Sequence, residues 1–297
     1  MTAVTMREPG IAIARRAARE LCDAMGIPLI RPARSGSVGL LNAPILLRAA
    51  DGWVHPGPPT AWEDFRAMLD ALGGDLSTLA AETVDAEAGA WRIPAVAVRS
   101  VPAAAPQVRW PEARVQLEGA RVVVLGATWA APLTGLVLAT LGAHVVRVTH
   151  PSRPDPFPLR DELMRGQEEV PLDLDDDAQR DQFEGLLDGA QLLVDGTTPR
   201  VLGNIGLADP PLSVVRISAF AHEDRPGYGI AAECRGGWAS RYDPPRLGRA
   251  SVADPVGGLL AALVAVDVLS SGRDRARERV SLEGAVGHLF NVEARGG

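Results

Sequence analysis

Few residues in this 297-residue chain stand in a spacing that catalysis requires. Ser218 and His222 in "ISAFAH" have the types of a nucleophile and its base. No Gly-x-Ser-x-Gly elbow surrounds the serine, and no acid is placed to orient the histidine, so serine catalysis is not expected. The turn "LGATWAAPLTG" lies where a dinucleotide fingerprint would lie, but it lacks Gly-x-Gly-x-x-Gly, and "VTHP" rather than an acid ends the next strand. A dinucleotide cofactor is therefore not expected. The same turn opens a helix at Ala130 to Thr134, whose free backbone N–H groups can meet a phosphate whatever the side chains. His144 and His150 bracket one strand and read as packed or solvent-facing. Cys22 and Cys234 make neither a metal spacing nor a disulfide framework, so no metal is expected.

The elements that must position such residues fall into two groups. Residues 10–26, "GIAIARRAARELCDAMG", place Ile11, Ala14, Ala17, Ala18, Leu21 and Met25 at helical spacing. A Pro/Gly/Ser-rich passage follows. "APILLRAADGWVHP" then predicts a strand with a turn at Asp51-Gly52, and "PPTAWEDFRAMLDALGG" predicts a helix that ends on Gly73-Gly74. "VPAAAPQVRWPE", residues 101–112, has almost no periodicity and marks a linker. From 117 the order becomes strand, turn, helix, strand: "ARVVVLGA", "AAPLTGLVLATLGA" and "HVVRVTHP" form a βαβ unit. "QLLVDGT" and "LSVVRISAF" add buried strands, and "DDDAQRDQFEGLLDGA" adds a helix with an acidic first turn. "ADPVGGLLAALVAVDVLSSG" predicts a long apolar helix, and "ERVSLEGAVGHLF" a returning strand and helix. The fold class expected is α/β: a doubly wound, mostly parallel sheet with a smaller α+β segment at the N-terminus. The domains expected are 1–105 and 106–297. Ligands of such sheets bind beyond the carboxyl ends of the strands.

Composition narrows the function. A net charge of −7 offers no nucleic-acid footprint, and the Arg-rich run at 271–280 is interleaved with Asp and Glu. The run "GGLLAALVAVDVL" is short for a bilayer span and carries Asp267, and "MTAVTMREPG" has no signal-peptide core. No nucleic acid and no membrane are expected as partners, and a reducing cytoplasm is the expected location.

Three blocks, in order, resemble one family. "LEGARVVVLGATWAAPLTGLVLATLGAHVVRVTHPSRPDPF", "VPLDLDDDAQRDQFEGLLDGAQLLVDGTTPRVLGNIGL" and "ADPVGGLLAALVAVDVLSSGRDRARERVSLEGA" are similar to the class III CoA-transferases. This CaiB/BaiF group includes formyl-CoA and carnitine CoA-transferases and the alpha-methylacyl-CoA racemases. The resemblance covers about 117–290. It implies a Rossmann-like CoA-binding domain, a homodimer, and coenzyme A as substrate or ligand without a permanently bound cofactor. It also implies that the CoA pyrophosphate meets the helix opening at Ala130 and Ala131, with Arg147, Arg153 or Arg160 as charge-assisted donors. Residues 40–100 resemble the family's later segment, placed in front, so the chain reads as permuted.

The resemblance breaks at one position. In the transferases a glycine-rich loop leads to a Tyr-Asp pair whose aspartate carries the acyl group. Here the loop is "SAFAHEDRPGYG", with Ala219 and Ala221 for its glycines and Gly229 after Tyr228. Glycine offers no oxygen, so covalent catalysis there is excluded. The racemases' histidine would stand at Tyr228, while their aspartate corresponds to Asp254. Asp254 reads either as an N-cap of the long helix or as a base. Glu233, four residues beyond Gly229 on the same helical face, reads either as a surface residue or as a replacement carboxylate reaching into space left at Gly229. The function expected is binding of an acyl-CoA or pantetheine thioester, with transferase chemistry lost or relocated. The alternatives are a non-catalytic scaffold subunit and an acyl-CoA racemase or isomerase.

Overall fold

The structure, a computed structural model, describes residues 9–29, 45–112, 115–153, 155, 159–198, 200–222, 224–248 and 251–295. Helix α1 (Pro9–Ala24) buries Ile13, Ala17 and Leu21, a stripe at i, i+4, i+8. Strands β1 (Leu47–Arg48) and β2 (Trp53–His55) pair antiparallel, Arg48 opposite Trp53, around the expected Asp51-Gly52 turn. Helices α2 (Trp62–Ala71) and α3 (Ala81–Ala90) follow, and β3 (Val96–Ala97) completes a small sheet in the order β1-β2-β3. Its core is Val54, Phe65, Met68, Val84 and Ile93. Helix α1 lies elsewhere: its apolar stripe joins the core of the large sheet, so the N-terminal third contributes to both cores.

The large sheet is built from β4 (Arg121–Leu125), β5 (His144–Thr149), β6 (Gln167–Pro171), β7 (Leu192–Asp195), β8 (Ser213–Ser218) and β9 (Arg277–Ser281). All its pairings are parallel and its order is β6-β5-β4-β7-β8-β9. Valine-rich strands buried on both faces are what a covered parallel sheet requires. The order reverses between β4 and β7, which is the switch point where doubly wound sheets open a crevice. Helix α4 (Ala130–Thr140) starts there, followed along the chain by α5 (Arg160–Leu163), α6 (Asp177–Asp188) and α7 (Val201–Asn204).

Helix α8 (Gly229–Arg235) leads to α9 (Ala253–Ser270), and α10 (Leu282–Ala294) closes the fold. The apolar run expected to be too short for a bilayer is part of an 18-residue helix that is long and apolar enough by length and composition. That expectation is corrected by the helix starting four residues earlier, at Ala253. Two-thirds of α9 is buried in the fold, where it packs against α1, α4 and α10. Apolar residues on all its sides are what a central core helix needs.

Residues 101–106 cross the surface as an extended strap. Ala103 N–H donates to Gly236 O at 3.2 Å. The strap lies so close to α10 that a Cβ on Gly287 would stand 2.3 Å from Ala103 O and 2.6 Å from Ala105 N. Only glycine admits a backbone at that distance.

Candidate functional site

The loop after β8 carries the chain through Tyr228 to Gly229, the first residue of α8. An ideal Cβ at Gly229 would lie 2.1 Å from Asp254 Oδ2 and 2.2 Å from Ser251 Oγ. The space expected to be open at Gly229 is therefore filled, and by the other candidate carboxyl. This corrects the reasoning that a glycine leaves room for Glu233.

Glu233 turns to the start of α9 instead. Its Oε1 accepts from Ser251 Oγ at 2.8 Å, Val252 N at 2.7 Å and Ala253 N at 3.2 Å. These N–H groups are among those a helix start cannot satisfy internally. Glu233 thus caps α9 from a neighbouring helix, and it is 2% exposed, so the surface reading is corrected as well. Asp254 is not the N-cap: Val252 holds that position, and Asp254 is the second residue of the helix. Its carboxyl faces back to the Gly229 N–H and the Ser251 hydroxyl. Burial pushes both acids above the ordinary carboxylate range, Glu233 to about 7, with the neighbouring Asp254 adding to the rise. Burial and Glu233 also raise the Cys234 thiol.

The expected phosphate end has a different character. Ala131 sits against the backbones of Gly126 and Gly196, so close that a Cβ on Gly196 would be 2.6 Å from its methyl. Ala130 and Ala131 are 7% and 2% exposed, and they join α4 to the crevice by small size. Arg147 is fully enclosed and donates to Asp155 Oδ2 at 2.7 Å and to Met164 Sδ at 3.0 Å. Asp155 also accepts from Thr128 N at 2.9 Å, which ties the β4–α4 turn to β5. Arg147 is thus a brace beneath the turn rather than a donor at its surface. Arg153 and Arg160 do reach solvent. Arg153 pairs with Asp175 at 3.3 Å, and Arg160 bonds both oxygens of Glu169. The structure brings Glu233 and Asp254 together and leaves the three arginines apart from them along the fold.

Three features escaped the sequence reading. Nothing in the sequence marks Ser251, yet it bridges the two acids. A groove of about 580 Å3 beside α7 and the β8–β9 edge is lined by Arg200, Arg216, Arg277 and Arg279. Arg277 and Arg279 alternate along β9, whose exposed face is unknown without the sheet, while Arg216 comes from β8 and Arg200 precedes α7. A second cavity, of about 410 Å3, lies between α3 and α8 and contains Asp85, Arg99, Arg225 and Arg235. Its buried Asp85–Arg225 pair joins the small sheet's unit to the loop before Gly229. Ser218 and His222 form no dyad, since Ser218 Oγ donates to Phe220 O at 2.9 Å. Among the described residues no group of three His, Cys, Asp or Glu side chains could hold a metal ion.

A classic-order doubly wound sheet with its helices on both faces is the class of structure; its family follows from comparison. The model of CoA-transferase family III matches residues 117–278, more than half of the chain, and this protein belongs to that family. It is 27% identical over 184 residues to the succinyl-CoA--D-citramalate CoA-transferase of Chloroflexus aurantiacus, covering 52% of this chain and 45% of that protein. It is 27% identical over 153 residues to the "Probable fatty acyl-CoA transferase Rv3272" of Mycobacterium tuberculosis, covering 43% and 39%. The chain thus spans less than half the length of these curated relatives. Crystal structures of Rv3272 (TM-score 0.53, 22% identity, 60% and 58% covered) and of a CAIB/BAIF family protein from Brucella suis (TM-score 0.50, 21% identity, 62% and 58% covered) share the fold.

Proposed function

We propose that this chain binds an acyl-CoA thioester and does not carry the acyl group on residue 229. Family membership supports the CoA ligand. The observation that carries the second half is at Gly229: it has no oxygen to acylate, and Asp254 Oδ2 and Ser251 Oγ occupy the place of its side chain. A carboxyl delivered from α9 stands within the volume that an aspartate's own Cβ would fill. It is set back from where that aspartate's carboxylate would project.

The polyanionic end of CoA is assigned to the solvent-reaching guanidiniums of Arg153 and Arg160, which can exchange a carboxylate partner for a phosphate. Arg147 serves that end indirectly, by holding Asp155 against Thr128. Ala130 and Ala131 let the helix start approach the crevice.

Two measurements on the intact chain test this reading. Calorimetry with acetyl-CoA and CoA should show binding, weakened in Arg160→Ala at low salt. Incubation with acetyl-CoA and a free carboxylate acceptor should give no transfer and no change in protein mass, neither the loss that borohydride reduction of an acyl-activated carboxyl gives nor the gain that hydroxylamine capture gives. A covalent adduct, or no binding of either ligand, overturns it.

A further inference from the structure

Two carboxyls and one hydroxyl meet where α8 runs past the start of α9, and their hydrogens can be counted. Ser251 Oγ carries one proton. Glu233 Oε1, 2.8 Å away, accepts it together with the N–H groups of Val252 and Ala253. The Asp254 carboxyl faces the same hydroxyl from the other side. If Asp254 is ionised, it confronts a serine lone pair with no hydrogen between them. A proton on Asp254 removes the conflict: Asp254 O–H donates to Ser251 Oγ, and Ser251 O–H donates to Glu233. The charge then rests on Glu233, which has three donors and the N-terminal end of an 18-residue helix.

Among the described residues, neighbouring elements supply no competing cation. Helix α4 carries no titratable residue. From α10, Glu283 accepts from Ala221 N and faces Arg235, while His288 senses Arg295 and Glu20. Arg216 of β8 pairs with Asp195, and Arg241 pairs with Glu293. On α8 itself, Cys234 stays a thiol. Tyr228 points to solvent, 40% exposed. Among the described residues, no arginine is hydrogen-bonded to either acid.

We propose that Glu233, Ser251 and Asp254 hold a single proton at neutral pH, resident on Asp254, so that the site presents a neutral carboxylic acid to a thioester. This deepens the acyl-CoA reading and rests on it. Asp254 is half-buried, and a thioester carbonyl oxygen entering the site can accept its proton's hydrogen bond in place of Ser251 Oγ. The carboxyl that takes the place of residue 229 is therefore a donor to the carbonyl oxygen, not a nucleophile toward its carbon. Glu233 is a positioning residue: it keeps the proton on its partner. Burial of both acids points the same way, since it raises each of them and so favours keeping a proton in the pair.

The test is carboxyl-carbon NMR of protein labelled at aspartate and glutamate side chains. Asp254, assigned by its loss in Asp254→Asn, should keep a protonated shift at a pH where an ordinary aspartate is already ionised. In Glu233→Gln, where the amide oxygen can still accept from Val252 and Ala253, Asp254 should ionise at least tenfold more readily. An Asp254 already ionised at pH 5.5, or an unchanged titration in Glu233→Gln, overturns the proposal. A protonated signal at neutral pH that disappears in Glu233→Gln and persists in Asp254→Asn also overturns it, because the proton would then sit on Glu233. The ligand arm uses acetyl-CoA against CoA: the preference for the thioester should fall between pH 6 and pH 8.5 and should survive in Asp254→Asn, which retains an N–H donor. A preference that grows with pH overturns the donor role. If neither ligand binds, the acyl-CoA reading fails, while the NMR result still decides where the proton lies.

Discussion

Gly229→Ala is the smallest change that challenges the arrangement at α8 and α9. The new methyl carbon would stand 2.1 Å from Asp254 Oδ2 and 2.2 Å from Ser251 Oγ. Both lie well inside van der Waals contact, which for carbon pairs is about 3.5–4.0 Å. The oxygens belong to side-chain ends, so they can move, but each move has a cost. Ser251 Oγ is tied to Glu233 at 2.8 Å, and Asp254 must leave the Gly229 N–H. Overpacking of this kind costs about 1–3 kcal/mol, and one lost buried hydrogen bond about 1 kcal/mol, for a total of roughly 2–4 kcal/mol. Urea denaturation at pH 7, followed by tryptophan fluorescence, measures it. In an Asp254→Ala background one of the two overlaps is gone and the one with Ser251 Oγ at 2.2 Å remains, so the same substitution should cost measurably less than in the parent. A Gly229→Ala protein within about 0.5 kcal/mol of the parent, or strict additivity with Asp254→Ala, would refute the reasoning. Gly229→Asp meets the same obstruction and should not restore covalent transfer unless Asp254 is shortened as well.

Other outcomes follow from the same contacts. Burial raises both acids in the fold, Glu233 to about 7, so across neutral pH the folded pair holds a proton that the unfolded chain has already given up as pH rises. Stability should therefore decline from pH 5 to pH 8 by an amount on the order of 3 kcal/mol for this pair, and the slope should flatten in Glu233→Gln. Asp155→Ala leaves the enclosed Arg147 guanidinium uncompensated and should cost about 3–5 kcal/mol in denaturant titration. Arg153→Ala, by contrast, removes an exposed pair and should change stability by under about 1 kcal/mol. Gly287→Val should lift the strap at residues 103–105, seen as faster cleavage by a non-specific protease in that segment.

Much of the fold was legible because its signals are local. Runs such as Val122–Leu125 and Leu192–Val194 can only be strands covered on both faces, and the stripe through Ala17 and Leu21 fixes α1. The site was legible in part. Asp254 and Glu233 were both singled out, but helical spacing relates Glu233 to Gly229 only along one helix. Which side chain fills the space beside Gly229 depends on a contact with residues 251–254, more than twenty positions away. Ser251 gave no signal because a bridging hydroxyl has meaning only between two partners. The arginines failed for a similar reason: a sequence shows Arg147 as a charge, but not that Asp155 returns to neutralise it beneath the turn. The helix opening at Ala130 and Ala131 reads in sequence as a phosphate site, whereas the small residues Gly126, Ala131 and Gly196 also let α4 dock closely on the strand ends.

The strap over α10 bears on how this protein can drift. It is held by main-chain atoms, through the Ala103 N–H and the close approach of residues 103–105 to Gly287, while its own side chains are exposed or half-buried. Residues 101–106 are thus free to exchange identity so long as the chain stays extended. The burden of constancy falls on a glycine nearly two hundred positions away. A segment that looks like low-information linker is expected to vary without consequence, and the residue that would record its history is Gly287.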